Sequence, residues 1–324
     1  MRVVLKTLAA AAVAGLIGLQ PAFAETTLRL GHVWPPNEIQ AEAAQIFADK
    51  VAEMSGGTVE IQIFGASALG NDRDMLEGLN IGTVDIWVGG AGVLTAASET
   101  AAIFTVPFMF DEFAHFQEVY DGAVGETIAE RIAGESGHQI LAYWMRGPRW
   151  LTTKARVDTP ADLAGLKVRV PDSPVFVRSW RQLGAAPSPM AFGEVFTALQ
   201  QGVIDGQENP LSLIYTARFS EVVDYLVKTQ HVLEPIVMVM SAQRLNALDA
   251  EVRDLLLQAS NGEAKTYVAE RVMAGEEDFV ERLVAQGMTL VEVDKSLFQE
   301  RLEGFVDAEF PGITEVHEMI RSAR

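Results

Sequence analysis

The chain has 324 residues, 49% of them hydrophobic, a formal net charge of -19 at pH 7 and no cysteine. Its length exceeds the size at which one core usually keeps growing, so two domains are expected. The acidic balance argues against nucleic acid or an anionic membrane surface as partner, and the missing cysteines exclude disulfides and thiolate metal sites.

Residues 1 to 24 stand apart. Arg2 and Lys6 give a positive start, Leu8 to Leu19 an apolar run, and Ala22, Phe23 and Ala24 an A-x-A end. This pattern predicts a secretory signal peptide cleaved after Ala24 and a periplasmic mature protein. The apolar run is short for a membrane span, and no later segment approaches ~20 uninterrupted apolar residues. Removal of Arg2 and Lys6 takes the charge from -19 to -21, since -19 minus 2 is -21. An anion site in so acidic a chain has to be built locally, because screening confines the overall field to about 8 Å.

Leu28 to Val33 reads as a strand, and Trp34 to Asn37 as a turn. Ile39, Ala43, Ile46, Phe47, Val51 and Met54 keep helical spacing up to Gly56. Val59, Ile61 and Ile63 alternate as a second strand. Asp72 is a cap candidate for a helix carrying Met75, Leu76 and Leu79, and Val84 to Val88 is a third strand. The order βαβαβ predicts a parallel sheet. Gly89 to Gly92 then suggests close backbone approach, with a dinucleotide fingerprint the weaker alternative because Thr95 occupies the third glycine position.

A helix is predicted over 111–132, a strand over 138–144 and another over 150–153. Thr159 and Asp162 are spaced as a capping box. Pro174 to Gly184 reads as helical and Val232 to Ser241 as a strand. From Asn246 to about Gln286 the pattern stays helical, with bends expected at Gly262 and Gly275. Two sheet systems with crossings near Arg146 and Pro235 fit two lobes, 25–146 plus 235–274 and 147–234 plus 275–324.

The most informative stretch runs from Gly165 to Pro210. In GLKVRVP, Leu166, Val168 and Val170 alternate with Lys167 and Arg169, so Arg169 points away from the packed face beside the end of a strand that Pro171 terminates. Ligands collect at such strand ends in open α/β sheets. In PMAFGEVFTALQQGVIDGQENP, Phe192, Val195, Phe196 and Leu199 form a helix stripe closed by Gly202. Val203 and Ile204 then read as a short strand running into a turn that carries Gln207, Glu208 and Asn209.

These two segments, in this order and separation, resemble the solute-binding subunits of tripartite ATP-independent periplasmic (TRAP) transporters, and the likeness extends more weakly over the mature chain. The resemblance implies an α/β, two-lobed periplasmic binding protein fold with two sheets, flanking helices, a hinge and a long helix spanning both lobes. It also implies an organic acid as ligand, with Arg169 gripping the carboxylate. A bidentate guanidinium suits that task, although strand geometry alone leaves open a surface arginine or one paired with an internal acid. Asn209 matches an asparagine that donates to the same carboxylate, against a turn asparagine bonding its own backbone. Arg149 matches a second arginine of the family, against one paired with an acid of the other lobe. Phe192 matches an aromatic packed on ligand, and Asp72 an acceptor of ligand hydroxyls, against a core phenylalanine and a helix cap. Trp34 and Trp87 are candidates for the cleft wall, with burial in the core the alternative. Glu208 reads as structural.

Where sialic-acid-binding members carry charged side chains after the third strand, this chain has only Gly89 to Val93. That departure argues against sialic acid and leaves room for a less hydroxylated or bulkier ligand. The chain holds no G-x-S-x-G, P-loop or H-E-x-x-H motif, and its five histidines are scattered. The expectation is a monomeric, non-enzymatic receptor without cofactor or metal that hands a small organic acid to integral-membrane TRAP subunits. A secreted enzyme acting on an acidic substrate and a sensory binding subunit are the alternatives.

Overall fold

The computed structural model describes residues 26–323, and the signal peptide expected over residues 1–24 lies outside them. The strands are β1 Thr26–Gly31, β2 Val59–Phe64, β3 Ile86–Gly90, β4 His138–Trp144, β5 Arg149–Thr153, β6 Lys167–Val170, β7 Ala186–Pro189, β8 Gly206–Pro210, β9 Tyr225–Val227, β10 Ile236–Ser241 and β11 Thr289–Val291. They form two sheets, ordered β2-β1-β3-β10-β4 and β11-β9-β5-β8-β6-β7. The alternation in β1 and β2 and the helix Ile39–Met54 between them produce the expected parallel pairing, which β3 continues. β10 enters antiparallel between β3 and β4, so the chain returns to its first sheet after completing most of the second.

The connections from β4 to β5 and from β9 to β10 carry the chain between the sheets. The helix Glu263–Ala285 packs against both the helix Ile39–Met54 and the helix Leu211–Thr216, and so touches elements attached to each sheet. The last helix, Thr314–Ser322, packs on the helix Ala123–Ser136 and the turn Thr100–Thr105, beside the first sheet. No helix among the described residues is long and apolar enough to cross a membrane.

Several local expectations are corrected. The predicted helix 111–132 is two helices, Phe113–Asp121 and Ala123–Ser136, because Gly122 is extended between them. The long C-terminal pattern breaks at Asn261 and Gly262 into Ala250–Ser260 and Glu263–Ala285, whereas Gly275 lies inside an unbroken helix. Val203 and Ile204 precede β8 rather than forming it, so Gln207, Glu208 and Asn209 belong to a strand and not to a turn. The edge strand β7, APSP, escaped detection because proline is tolerated only at a sheet edge and does not read as a strand.

Register in the second sheet separates its two arginines. Arg149 on β5 faces Pro210, and Leu151 faces Glu208, so Arg149 and Glu208 are diagonal neighbours on one face. Arg169 on β6 lies beside Gln207, on the opposite face from Val168 and Val170. That opposite face is not open: a second core cluster containing Trp150, Val195, Leu199, Ile214 and Phe219 covers it.

Candidate functional site

Where the strand ends of the two sheets meet, a small cavity of about 50 Å³ is lined by Trp34, Asp72, Gly90, Gly92, Arg146, Arg149, Arg169, Phe192, Asn209 and Glu234, among others. Asp72, Val93, Arg169, Pro171 and Phe192 also line a neighbouring hollow of about 340 Å³, so the two spaces share a wall. Arg169 stands on that shared wall. Its Nε and Nη2 both donate to the Met190 carbonyl, at 2.9 and 2.7 Å, and no acid among the described residues hydrogen-bonds to it. Pairing of β6 with β7 sets this up, because Met190 follows the last β7 residue and its N–H bonds Val170. Arg169 is only 4% exposed, and burial lowers its pKa to about 10, a charge still held at neutral pH.

Arg149 sits differently. Its Nε and Nη2 donate to the Glu208 carboxylate, the latter at 2.6 Å, and Nη2 also reaches the Glu208 carbonyl at 2.8 Å. The Phe176 ring lies 4.9 Å from its guanidinium carbon. His231 Nε2 adds a contact to Glu208 at 3.1 Å. Burial raises the Glu208 pKa, but Arg149 and His231 outweigh it and hold the carboxyl at about 2. Arg149 therefore lines the cavity as half of an ion pair whose acid is on the neighbouring strand, not on the other sheet.

Asn209 faces the cavity from β8. Its amide donates to Gln207 Oε1 at 2.6 Å and its oxygen accepts from Arg146 Nη2 at 3.2 Å, while Gln207 is itself tied to Thr152 at 2.8 Å. Phe192 lies in the turn Phe192–Glu194, packs edge-on against Phe219 and forms the wall common to both spaces.

From the first sheet, Asp72 reaches in at the start of the helix Asp72–Ile81. It does not cap that helix: Asn71 does, accepting from Arg73 and Asp74, and Asp74 returns the bond to close a capping box. Asp72 Oδ1 instead accepts from Trp87 Nε1 at 3.0 Å. Burial pushes the Asp72 pKa up to about 6 despite the Trp87 bond and the nearby arginines. Trp87 itself is fully buried and does not line the cavity, so its place is behind Asp72 and not in the cleft wall. Trp34, stacked on His32, does line it.

Two charged lining residues went unnoticed in the sequence. Arg146 Nη1 donates to Glu234 Oε1 at 2.8 Å, and both are buried. They are 88 residues apart, each at a connection between the sheets, and no motif links them. Gly90 and Gly92 are required by close approach: a Cβ on Gly90 would lie 2.4 Å from Glu234 Oε1, and one on Gly92 2.5 Å from Thr105 Cγ2.

Comparison with known proteins places this arrangement. The family model described as bacterial extracellular solute-binding protein, family 7, matches residues 30–310. The 2,3-diketo-L-gulonate-binding periplasmic protein of Escherichia coli is 32% identical over 293 residues, 90% of this chain and 89% of its own. A TRAP periplasmic solute-binding protein from Roseobacter denitrificans, solved with bound L-galactonate, has 36% identity and a TM-score of 0.87 over 93% of this chain and 99% of its own. One from Sulfurospirillum deleyianum, solved with succinate, has 28% identity and a TM-score of 0.87 over 93% of this chain and all of its own.

Proposed function

The chain belongs to family 7 of the bacterial extracellular solute-binding proteins, and from that premise we propose that it is the periplasmic receptor of a TRAP transporter. It captures a small organic acid between two lobes and delivers it to integral-membrane subunits. The observation that carries the reading is the state of Arg169: a buried cation on a cavity wall, oriented by one carbonyl and hydrogen-bonded to no acid among the described residues. A buried cation without a hydrogen-bonded acid is costly, and a carboxylate arriving at the remaining N–H groups supplies that partner. Similar proteins solved with galactonate and succinate support an acid as the ligand class.

The first lobe comprises β1 to β4 and β10 with their helices, and the second β5 to β9 and β11. The hinge is at the connections holding Arg146 to Pro148 and Gln230 to Pro235, and the last helix, Thr314–Ser322, goes with the first lobe. Closure brings Asp72 and Trp34 of the first lobe onto Arg169, Asn209 and Phe192 of the second. Contacts across the cleft support this. Glu38 Oε1 accepts from Ser212 at 2.7 Å and Oε2 from Thr216 at 2.5 Å, and Arg73 pairs with Asp172 at 2.9 Å beside the outer hollow.

The test is Arg169→Ala, assayed by calorimetry against a panel of aldonates, oxo acids and dicarboxylates. Wild-type protein binds at least one of them and releases it chemically unaltered, whereas the variant keeps its melting transition and loses about 100-fold or more in affinity. Near-wild-type binding by the variant removes the carboxylate clamp from the account.

A further inference from the structure

Glu38 stands at the N-cap of the helix Ile39–Met54, yet its side chain makes no capping bond to that helix. It is 1% exposed and reaches instead to the helix Leu211–Thr216, with Oε1 at 2.7 Å from Ser212 Oγ and Oε2 at 2.5 Å from Thr216 Oγ1. Both ends of this contact follow closely on cavity residues in the chain. Trp34, which lines the cavity, precedes Glu38, and Asn209, which lines it from β8, precedes Ser212.

Counting hydrogens bears on the charge of this contact. Thr216 has one hydroxyl hydrogen and two acceptors in reach, Glu38 Oε2 and the Ser212 carbonyl at 2.9 Å. With Glu38 ionised, that hydrogen is divided between them. With Glu38 protonated, its own O–H donates to Thr216 Oγ1, the threonine hydrogen goes to the carbonyl one turn back, and Ser212 still donates to Oε1, so every contact has its own hydrogen. The surroundings favour the neutral form. Burial raises the carboxyl above its ordinary value by more than Thr216, Ser212 and the charge of Arg146 lower it, and Glu42 on the same helix adds to the rise. Arg146 is hydrogen-bonded to Glu234 and Asn209. Tyr267 of the helix Glu263–Ala285 donates to Glu42, and Tyr215, the titratable residue of Leu211–Thr216, packs on Phe279.

In an open form water reaches Glu38 and the carboxyl returns to its ordinary range. Resting on the two-lobed receptor reading above, we propose that lobe closure takes up a proton at Glu38, so that this side chain latches the closed form as a neutral donor and its ionisation releases the lobes. The balance is open receptor with a Glu38 carboxylate, ligand and one solvent proton on one side, and closed complex with a Glu38 carboxylic acid on the other. Because the carboxyl is raised in the closed form, closure is fully favoured below about pH 4.5 and weakens as pH rises through the closed-form value.

The experiment is calorimetry with L-galactonate, D-erythronate and succinate on the wild-type protein and on Glu38→Gln, whose amide copies the neutral acid by accepting from Ser212 and donating to Thr216. With any of the three that binds, the variant matches wild type within about threefold at pH 4.5 and binds about tenfold or more tightly than wild type at pH 8. Buffers of different ionisation enthalpy show wild type taking up more protons on binding at pH 6 than the variant. Asp72, also pushed up by burial, titrates in both proteins and drops out of the ratio. Weaker binding by the variant at pH 8 assigns an ionised Glu38 to the closed form and overturns the proposal, as does an affinity ratio that does not change with pH. If the variant does not fold, wild-type binding without net proton uptake at pH 6 overturns it. Failure of all three acids to bind either protein at any pH overturns the receptor reading too, whereas binding with equal pH dependence overturns only the role given to Glu38.

Discussion

Arg149 and Arg169 begin from similar positions, on strands β5 and β6 that flank β8 in one sheet, and both are buried at the same cavity. Arg149 has an acid on the adjacent strand, a phenylalanine ring against its plane and Glu234 nearby. Arg169, on the other face, hydrogen-bonds among the described residues only to a carbonyl. Burial works against the charge on both, yet Glu208 and Glu234 leave the pKa of Arg149 raised while that of Arg169 falls to about 10. Arg149 is held by a hydrogen-bonded acid of its own sheet, whereas Arg169 is oriented by a carbonyl and feels Glu208 and Asp72 only at a distance. The cleft needs both, since the first keeps β5 and β8 in the register that holds Asn209 beside the second.

Breaking the satisfied pair should have the largest effect. Arg149→Ala leaves Glu208 buried without its main partner and should cost about 3 to 5 kcal/mol of stability, read from urea denaturation. A loss below about 1 kcal/mol would mean that the pair is not structural. Next, Arg169→Lys keeps the charge but lacks the planar fork that meets a carboxylate while resting on Met190. It should bind acids about 10- to 100-fold more weakly with the melting temperature nearly unchanged. The same change at position 149 should instead lower the melting temperature.

Glu276 extends the comparison to an acid without an arginine. It lies on the helix Glu263–Ala285 against the interlobe connection, where a Cβ on Gly147 would come within 2.5 Å of its Oε1, and burial pushes its pKa up to about 7. A folded pKa above the ordinary value of 4.5 means stability that is complete below about pH 4.5 and lost as pH rises through about 7. Glu276→Gln should therefore melt about 2 to 4 °C higher than wild type at pH 8, with the difference vanishing near pH 4. Equal melting at pH 8 would show that this carboxyl is not strained by burial. The smallest effect belongs to the exposed pair Arg73–Asp172. Arg73→Ala should change ligand affinity by at most about 1 kcal/mol, and less as salt is raised, because a solvated pair at the mouth is screened.

Much of this was legible in the sequence, and the reasons are local. Alternation in GLKVRVP placed Arg169 opposite Val168 and Val170, and Pro171 ended the strand beside the cavity. The capping box at Thr159 and Asp162 and the helix Pro174–Leu183 ending at Gly184 appear as read. Strands β7, β9 and β11 were not legible, being three or four residues long and, in β7, half proline. The role of Asn71 was hidden by Asp72 beside it, since either side chain suits a helix cap and only the fold shows which one the cleft draws away.

By itself, then, the sequence determined most of the longer elements and the strand face on which Arg169 sits, because the periods of strand and helix are properties of consecutive residues. Tertiary structure alone decided which charges neutralise one another. Arg149 meets Glu208 across 59 residues and Arg146 meets Glu234 across 88, while no acid among the described residues hydrogen-bonds to Arg169. Nothing in the local pattern distinguishes these arginines, since a counter-charge is chosen by proximity in a buried, weakly screened space, and that proximity exists only once both sheets have brought their strand ends together.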